Sequence, residues 1–232
     1  MNYSGFMGGL FALAEWIMRF SVINMLWIVT NLPILLIVFM MILTPSNLAI
    51  VVQAVPLAIL LPILFFPSLT AVFATVRDWI LDKEQPSLVK AYWKHLTRNY
   101  KNSFFSGAIL TLAIIIWVID FNYFKELDFL LGLLMFIVGV ALYVYIMNYV
   151  SLSVHYVMSK KELFKNALLI TIGNPLLFFS VLLGNSLLYY LSFRIWFLFL
   201  FFTISVSAFL TFFAFFRFTL RVEGKAAKLK SR

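Results

Sequence analysis

Five long stretches of the chain carry no charged side chain, and this pattern constrains the fold more than any other feature. They are residues 20–76, 102–119, 129–159, 166–193 and 195–216. A helix needs roughly 20 apolar residues to cross a hydrocarbon core. The first stretch is therefore long enough for two crossings and each of the others for one. The sequence predicts six membrane-spanning helices.

The spans are predicted to be helices and not strands of a barrel. The charge-free stretches are continuous runs of Leu, Ile, Val and Phe, whereas barrel strands show segments of about ten residues with alternating polarity. Hydrophobic residues make up 64% of the chain and charged residues 12%, which lies outside the usual composition of soluble domains. The predicted fold is an all-α, polytopic transmembrane helix bundle.

Charged residues mark the expected boundaries of this bundle. Residues 1–19 are predicted to include an N-terminal interfacial helix, because residues 6–19 are apolar apart from Glu15 and Arg19. The apolar stretch after them is too long for the core of a cleavable signal peptide, so we expect the first span to be retained. The bundle, residues 20–216, has its spans near residues 20–43, 48–76, 103–119, 129–158, 167–191 and 195–216.

The basic residues predict the orientation of the spans. Of the 18 Lys and Arg residues, all but Lys125 and Arg194 are predicted to fall on one side: Arg19 and those of the loops 77–102 and 160–165 and of the basic tail 217–232. Cytoplasmic loops carry the excess of Lys and Arg, so both termini are predicted to be cytoplasmic. The net charge of +9 then indicates contact with anionic lipids of the inner leaflet. No nucleic-acid partner is expected.

The loop 77–102 contains a predicted amphipathic helix. Apolar and aromatic residues recur at mostly helical spacing from Leu88 to Tyr100, with basic residues between them, and Pro86 and Ser87 precede the helix as start signals. Two interpretations stay open, an anchor in the inner leaflet and a docking site for a cytoplasmic partner. The candidate contact residues are Trp93, Lys94, Arg98 and Lys101.

Few polar residues lie inside the spans. No Asp, Glu, Lys or Arg is deep in any of them, which argues against a proton-coupled pump or a voltage sensor. Polar residues and prolines that could pack helices together or line a solute pathway are Asn24, Asn31, Pro56, Pro62, Pro67, Thr70, Asn148, His155 and Asn174. Thr203, Ser207 and Thr211 recur every fourth residue, which predicts a polar stripe for close helix contact.

Catalytic signatures are missing from the sequence. The chain has no Cys, no HExxH zinc motif and no glycine-rich phosphate loop. His155 has no second histidine or carboxylate at ligand spacing, so it is interpreted as a packing residue. We therefore expect no cofactor, no metal site and no enzymatic activity.

Short motifs in the first half of the chain resemble those of a known family. They are Asn24-Met25-Leu26-Trp27 with Asn31-Leu32-Pro33, Pro67-Ser68-Leu69-Thr70-Ala71, Val76-Arg77-Asp78-Trp79 and the aromatic and basic stretch 92–107. They resemble the YesL family of bacterial membrane proteins, although residues 36–64 depart from the family pattern. The resemblance implies a bacterial cytoplasmic membrane location and an accessory role in saccharide uptake, with ABC-transporter permease or sensor subunits as candidate partners.

Two functions follow as hypotheses. The first is a non-enzymatic accessory or regulatory subunit that binds a partner through its helix faces and residues 87–101. The alternative is a small permease or channel that carries a neutral solute between its spans.

Overall fold

The computed structural model describes residues 6–83, 85 and 87–230, and all regular secondary structure in this part of the chain is helical. The helices are α1 (Phe6–Thr30), α2 (Leu32–Leu43), α3 (Asn47–Leu60), a π-helical segment (Leu61–Phe65), α4 (Phe66–Ile80), α5 (Leu88–Leu127), α6 (Phe129–His155), α7 (Lys160–Gly173), α8 (Pro175–Arg194), α9 (Trp196–Phe201) and α10 (Thr203–Lys230). Six stretches are long and apolar enough to cross a membrane: Met7–Thr30, Leu48–Ile80, Leu88–Leu127, Phe129–His155, Pro175–Arg194 and Thr203–Gly224. The predicted all-α fold with six candidate spans is confirmed.

The first candidate span lies nearer the N-terminus than expected. Helix α1 continues without a break through residues 19 and 20, where the interfacial helix was predicted to end; residues 1–5 lie outside the described part. Arg19 Nη2 lies 2.5 Å from Glu15 Oε1 one turn earlier, so the two charges pair along the same helix. The predicted span 20–43 is divided between α1 and α2, which meet at Asn31.

The second candidate span is irregular at its prolines. Pro56 lies inside α3, Pro62 lies in the π-helical segment, and Pro67 lies in the first turn of α4. Each proline lacks the N–H that would complete a helical hydrogen bond. A π-helical turn is a common way to accommodate such an irregularity without ending the helix.

Helix α5 joins two segments that were expected to be separate. The predicted amphipathic helix and the span 103–119 form one helix of 40 residues, which is about 60 Å long at the usual helical rise. That length is about twice the hydrocarbon thickness, so part of α5 extends beyond the membrane. The Ser87 side chain caps its N-terminus by accepting from the Lys90 N–H, as predicted; Pro86 lies outside the described residues.

The last two predicted spans, 167–191 and 195–216, also differ in their boundaries. Asn174 ends α7 and caps α8, its Oδ1 accepting from the Leu177 N–H at 2.9 Å, with Pro175 at the first helical position. Phe202 separates α9 from α10, and α10 extends through most of the predicted basic tail to Lys230.

Helix α4 lies at the centre of the bundle and packs against α1, α5, α6 and α10. At its C-terminal end, contacts join the basic segments: Arg77 donates to the Val154 carbonyl, and the Lys160 Nζ lies 4.4 Å from the Phe105 ring centre. We call this end of the molecule the basic end. The Tyr156 hydroxyl also donates to Glu223 of α10 at 3.0 Å. The loops 77–102 and 160–165 and the described start of the tail thus lie at one end, as predicted, whereas the assignment of that end to the cytoplasm stays a prediction.

Candidate functional site

A buried carboxylate organises the basic end. Arg77 donates to Asp78 Oδ1 through Nη2 at 2.6 Å and Nε at 3.0 Å, and His95 Nε2 lies 2.9 Å from Oδ2. Gln85 Nε2 donates to the same Oδ2 at 3.3 Å, and Lys83 Nζ lies 3.9 Å from Oδ1. The Asp78 side chain is only 11% exposed, and a carboxylate at such a position needs partners. We call Arg77, Asp78, Gln85 and His95 the Asp78 cluster.

The turn after α4 brings Gln85 back to the cluster. The Lys83 N–H donates to the Asp78 carbonyl and the Asp82 N–H to the Trp79 carbonyl, which is the hydrogen-bond pattern of a Schellman helix end. Asp82 has a φ of 51°, the left-handed conformation that such a helix end requires. Gln85 Oε1 then accepts from Trp79 Nε1 at 2.8 Å.

The cluster and the neighbouring Trp79 together join four helices. His95 belongs to α5, and Arg77 donates to the Val154 carbonyl, one of the last carbonyls of α6. The Trp79 ring packs edge-on against Trp16 of α1 at 6.1 Å. Arg19 lies over both rings, within 6.0 Å of their centres. The arrangement fixes where the N-terminal part of α5 stands relative to the bundle.

Two contacts hold the inner side of the N-terminal part of α5 against the bundle. One is the bond between His95 and Asp78, and the other joins the Tyr92 hydroxyl to Thr30 Oγ1 at 3.1 Å. Tyr92 is fully buried. The opposite face is exposed and carries the predicted contact residues: Trp93, Lys94, Arg98 and Lys101. We call these four residues the α5 face.

Asn24 joins α1 to the break between α9 and α10. Its Nδ2 donates to the Phe199 and Leu200 carbonyls at 3.1 and 2.7 Å, and its Oδ1 accepts from the Ile204 and Ser205 N–H groups at 2.8 and 3.3 Å. Helix ends leave such groups without intrahelical partners, and lipid offers none. The fully buried Asn24 is thus committed to four backbone groups and is not free to bind a solute.

The other predicted pathway residues lie in separate places. Asn31 Nδ2 donates to Ser68 Oγ at 2.7 Å and Asn148 Nδ2 to Thr171 Oγ1 at 2.9 Å, and both side chains are fully buried. Their Oδ1 atoms have no hydrogen-bond partner among the described residues. His155 packs against four aromatic rings, with its Nδ1 also unpartnered there.

The small polar stripe on α10 packs against α8 as predicted. Asn185 Nδ2 donates to Thr211 Oγ1 at 3.0 Å, and its Oδ1 accepts from the Ser207 hydroxyl. The Thr203 and Ser192 hydroxyls lie 2.7 Å apart. These bonds are interhelical, which is the commoner role of polar residues within a membrane.

A cavity with both polar and apolar lining residues lies beside α5 near the basic end. It measures about 180 Å³ and is bounded by α4, α5, α6 and α7. Of the predicted pathway residues only Thr70 lines it; Asn174 borders a different cleft, between α8 and α10. Its lining includes Lys160 and a set of amide and hydroxyl groups: Thr70, Asn99, Asn102, Ser103, Ser106, Tyr149, Ser153 and Tyr156. Prolines 56, 62 and 67 are not among the lining residues.

Sequence reasoning missed the Asp78 cluster as a site. Arg77 and Asp78 were noted only as part of a motif, and nothing in the spacing indicated that His95 lies against them. The available signal was the oppositely charged pair Arg77-Asp78 directly after a charge-free stretch. Among the described residues, no group of three or more His, Asp or Glu side chains is placed to hold a metal ion.

Comparisons with known proteins give two similarities. Residues 20–121 match a family described as "Protein of unknown function, DUF624". The chain is also similar to "Uncharacterized protein YteU" of Bacillus subtilis (strain 168), with 27% identity over 176 residues, covering 75% of this chain and 68% of that protein. No solved structure matches. The family match includes Asn24, the Asp78 cluster and the α5 face, so these features lie in the part of the chain that is similar to this family of unknown function.

Proposed function

We propose that the protein is a non-enzymatic accessory subunit that uses the α5 face to dock a partner in the cytoplasmic membrane of a bacterium. One observation carries the proposal: residues 88–101 continue a membrane-spanning helix and are held from behind by Asp78 and Thr30, while Trp93, Lys94, Arg98 and Lys101 are exposed. The packing side of this segment is occupied, and the other side is free to bind.

The composition of the α5 face suits a protein partner with an acidic surface. Trp and Arg side chains are the residues that most often carry binding energy at interfaces, and Trp93 is 43% exposed. Lys94, Arg98 and Lys101 supply positive charge beside it. A segment that is already ordered also loses less conformational entropy on binding than a flexible loop would.

The partner class comes from the resemblance to the YesL family. The resemblance implies an accessory role in saccharide uptake, and we infer that the partner is a permease or sensor subunit of a saccharide transporter. The match to a family of unknown function is compatible with this narrower assignment. The saccharide itself is recognised by the partner in this proposal.

The proposal is tested by affinity purification of the tagged protein from its native membranes in mild detergent, with mass spectrometry of the bound proteins. We expect transporter or sensor subunits with the wild-type protein and their loss with Trp93→Ala/Lys94→Glu. Tyr123→Ala/Lys125→Glu is the matched control, because it removes an exposed aromatic and basic pair far along α5. Equal recovery of the subunits with the Trp93/Lys94 variant would refute docking through the α5 face, and so would a wild-type protein without them.

A second candidate, a permease for a neutral solute, is favoured by the amide- and hydroxyl-lined cavity beside α5. Such groups can hydrogen-bond the hydroxyls of a polyol. The test is uptake of labelled monosaccharides by liposomes that contain only this protein. Flux that is lost on Ser106→Leu would favour the permease, and absence of flux above empty liposomes would leave the accessory subunit as the explanation.

A further inference from the structure

A cleft between α8 and α10 opens near the basic end. Its volume is about 610 Å³, and its walls are largely apolar, with Leu176 and Leu177 on α8 and Leu210 and Phe213 on α10. The Gly184 backbone borders it, and a Cβ at that position would lie 3.8 Å from the nearest side-chain atom. The cleft therefore has room beside Gly184, and the Ser180 hydroxyl that borders it donates to the Leu176 carbonyl of its own helix.

Two arginines lie at one end of this cleft. Arg217 and Arg221 are one turn apart on α10, and both border the cleft. Both are exposed, and neither forms an ion pair among the described residues. The Arg217 guanidinium lies 5.6 Å from the centre of the Phe213 ring, one turn further into the span. Positive charge thus stands where the candidate span Thr203–Gly224 approaches its end.

We propose that this cleft binds one anionic phospholipid. The headgroup phosphate lies against Arg217 and Arg221, which can form paired hydrogen bonds to phosphate oxygens. One acyl chain runs from there along α10 to Leu210 and Gly184. Leu210 precedes Arg217 by seven residues, or about 10 Å of helix, so the wall accommodates several methylene groups.

The two arginines and the apolar wall beside them together favour a lipid over other occupants. Basic pockets between helices on the cytoplasmic side are typical sites for anionic lipid headgroups. A neighbouring transmembrane helix would leave both arginines without partners, whereas a free phosphate would leave the apolar wall empty. A lipid with a negative headgroup satisfies both parts of the cleft at once.

The test is native mass spectrometry of the full chain in mild detergent, titrated with phosphatidylglycerol or phosphatidylcholine of identical acyl chains. We expect one tightly bound phosphatidylglycerol, and about tenfold weaker binding of it after Arg217→Gln/Arg221→Gln. Lys161→Gln/Lys165→Gln removes the same charge from exposed positions at the basic end and should leave the affinity unchanged.

A second variant tests the apolar wall independently of charge. Gly184→Leu places a side chain in the open part of the cleft and should weaken phosphatidylglycerol binding while both arginines remain. An excess of inorganic phosphate should not displace the lipid, because phosphate makes no contact with the wall. Equal binding of both lipids by the wild type, unchanged binding by the arginine variant or by Gly184→Leu, or displacement by phosphate would overturn the proposal.

Discussion

Helices α3 and α4 belong to the same candidate span, yet their surroundings are opposite. None of the described side chains of α3 is buried, whereas residues 66–76 of α4 are all buried. Helix α3 packs mainly against α2 and the π-helical segment, while α4 packs against four other helices. The two halves are joined by five residues, Leu61–Phe65. Hydrophobicity therefore does not decide which half enters the core.

The difference lies in side-chain size and in polar groups. In lipid, apolar side chains gain little by leaving the solvent, and small residues and hydrogen bonds hold helices together. Helix α4 carries Ser68, Ala71 and Ala74 at intervals of three residues, and the Asp78 cluster ties its end. Helix α3 presents Val51, Val52 and other branched side chains outward. The core helix α4 thus differs from the lipid-facing helix α3 in the small residues and hydrogen-bonding groups that it presents to neighbouring helices.

The largest effect is expected at the C-terminal end of α4, where Asp78 bonds to Arg77 and His95. Asp78→Ala leaves Arg77 and His95 partly buried without their acceptor, and breaking a buried ion pair costs about 3–5 kcal/mol. Thermal unfolding in detergent should show a large loss of stability, and proteases should cleave residues 88–101 faster because this segment is no longer held against the bundle. Glu126→Ala is the control, because it removes an exposed carboxylate near the C-terminal end of α5. A stability equal to that of the control would contradict a structural role for the cluster.

A matched pair of substitutions tests the burial difference directly. Val72 of α4 is fully buried and Val52 of α3 is 63% exposed. Val72→Phe should destabilise the protein by about 1–3 kcal/mol through overpacking, whereas Val52→Phe should change stability by less than about 0.5 kcal/mol. Melting temperatures of the two variants provide the comparison. Equal losses would mean that α3 is packed in the membrane as tightly as α4.

Two glycines allow the tight packing between α4 and α5 to be compared with the open space between α8 and α10. A Cβ on Gly107 of α5 would lie 2.7 Å from the Cβ of Phe66, whereas one on Gly184 would have its nearest contact at 3.8 Å. Alanine favours a helix over glycine by up to about 1 kcal/mol. Gly184→Ala should therefore raise the melting temperature slightly and Gly107→Ala should lower it. A rise with both would show that α4 and α5 have room to separate.

The smallest effect is expected at the N-terminus of α7, where the side chains of residues 159–162 are exposed. The Glu162 carboxylate of α7 accepts hydrogen bonds from the Ser159 hydroxyl and from the Ser159 backbone N–H. Both bonds lower the pKa of Glu162, and the bond from the hydroxyl has the larger effect. A lowered pKa in the folded state adds stability that is present near neutral pH and is lost as the pH falls through that pKa. Glu162→Gln should cost slightly more stability at pH 7 than at pH 4. A difference that grows with acidity would contradict this capping role.

Much of the fold could be predicted from charge and hydropathy. The six candidate spans and the contact stripe of Thr203, Ser207 and Thr211 follow from local composition and spacing, because a helix in lipid satisfies its own backbone. The first of these spans differs from the prediction in that it includes Glu15 and Arg19. The ends of the helices could not be predicted as well. The sequence does not reveal that α1 continues through Arg19 as one helix. It also does not reveal that Asn24 bonds to the backbone groups at the break near Phe202, since that contact depends on which helices meet.

The candidate site was predictable only on its exposed side. The periodicity of residues 88–101 predicted an amphipathic helix and the four residues of the α5 face. Its buried side required the turn after α4, in which Asp82 adopts a left-handed conformation and Gln85 returns to Asp78. Contacts across such a turn are set by three-dimensional geometry, and a single sequence contains no signal for them.

Site-specific photo-crosslinking in native membranes tests the central claim most directly. A photoreactive phenylalanine analogue would replace Trp93 of the α5 face in one variant and Val52 of α3 in another, both exposed positions. Our account predicts a discrete protein adduct, identified as a transporter or sensor subunit, from position 93 and only lipid adducts from position 52. Lipid adducts alone from position 93 would contradict docking and identify the α5 face as a membrane anchor.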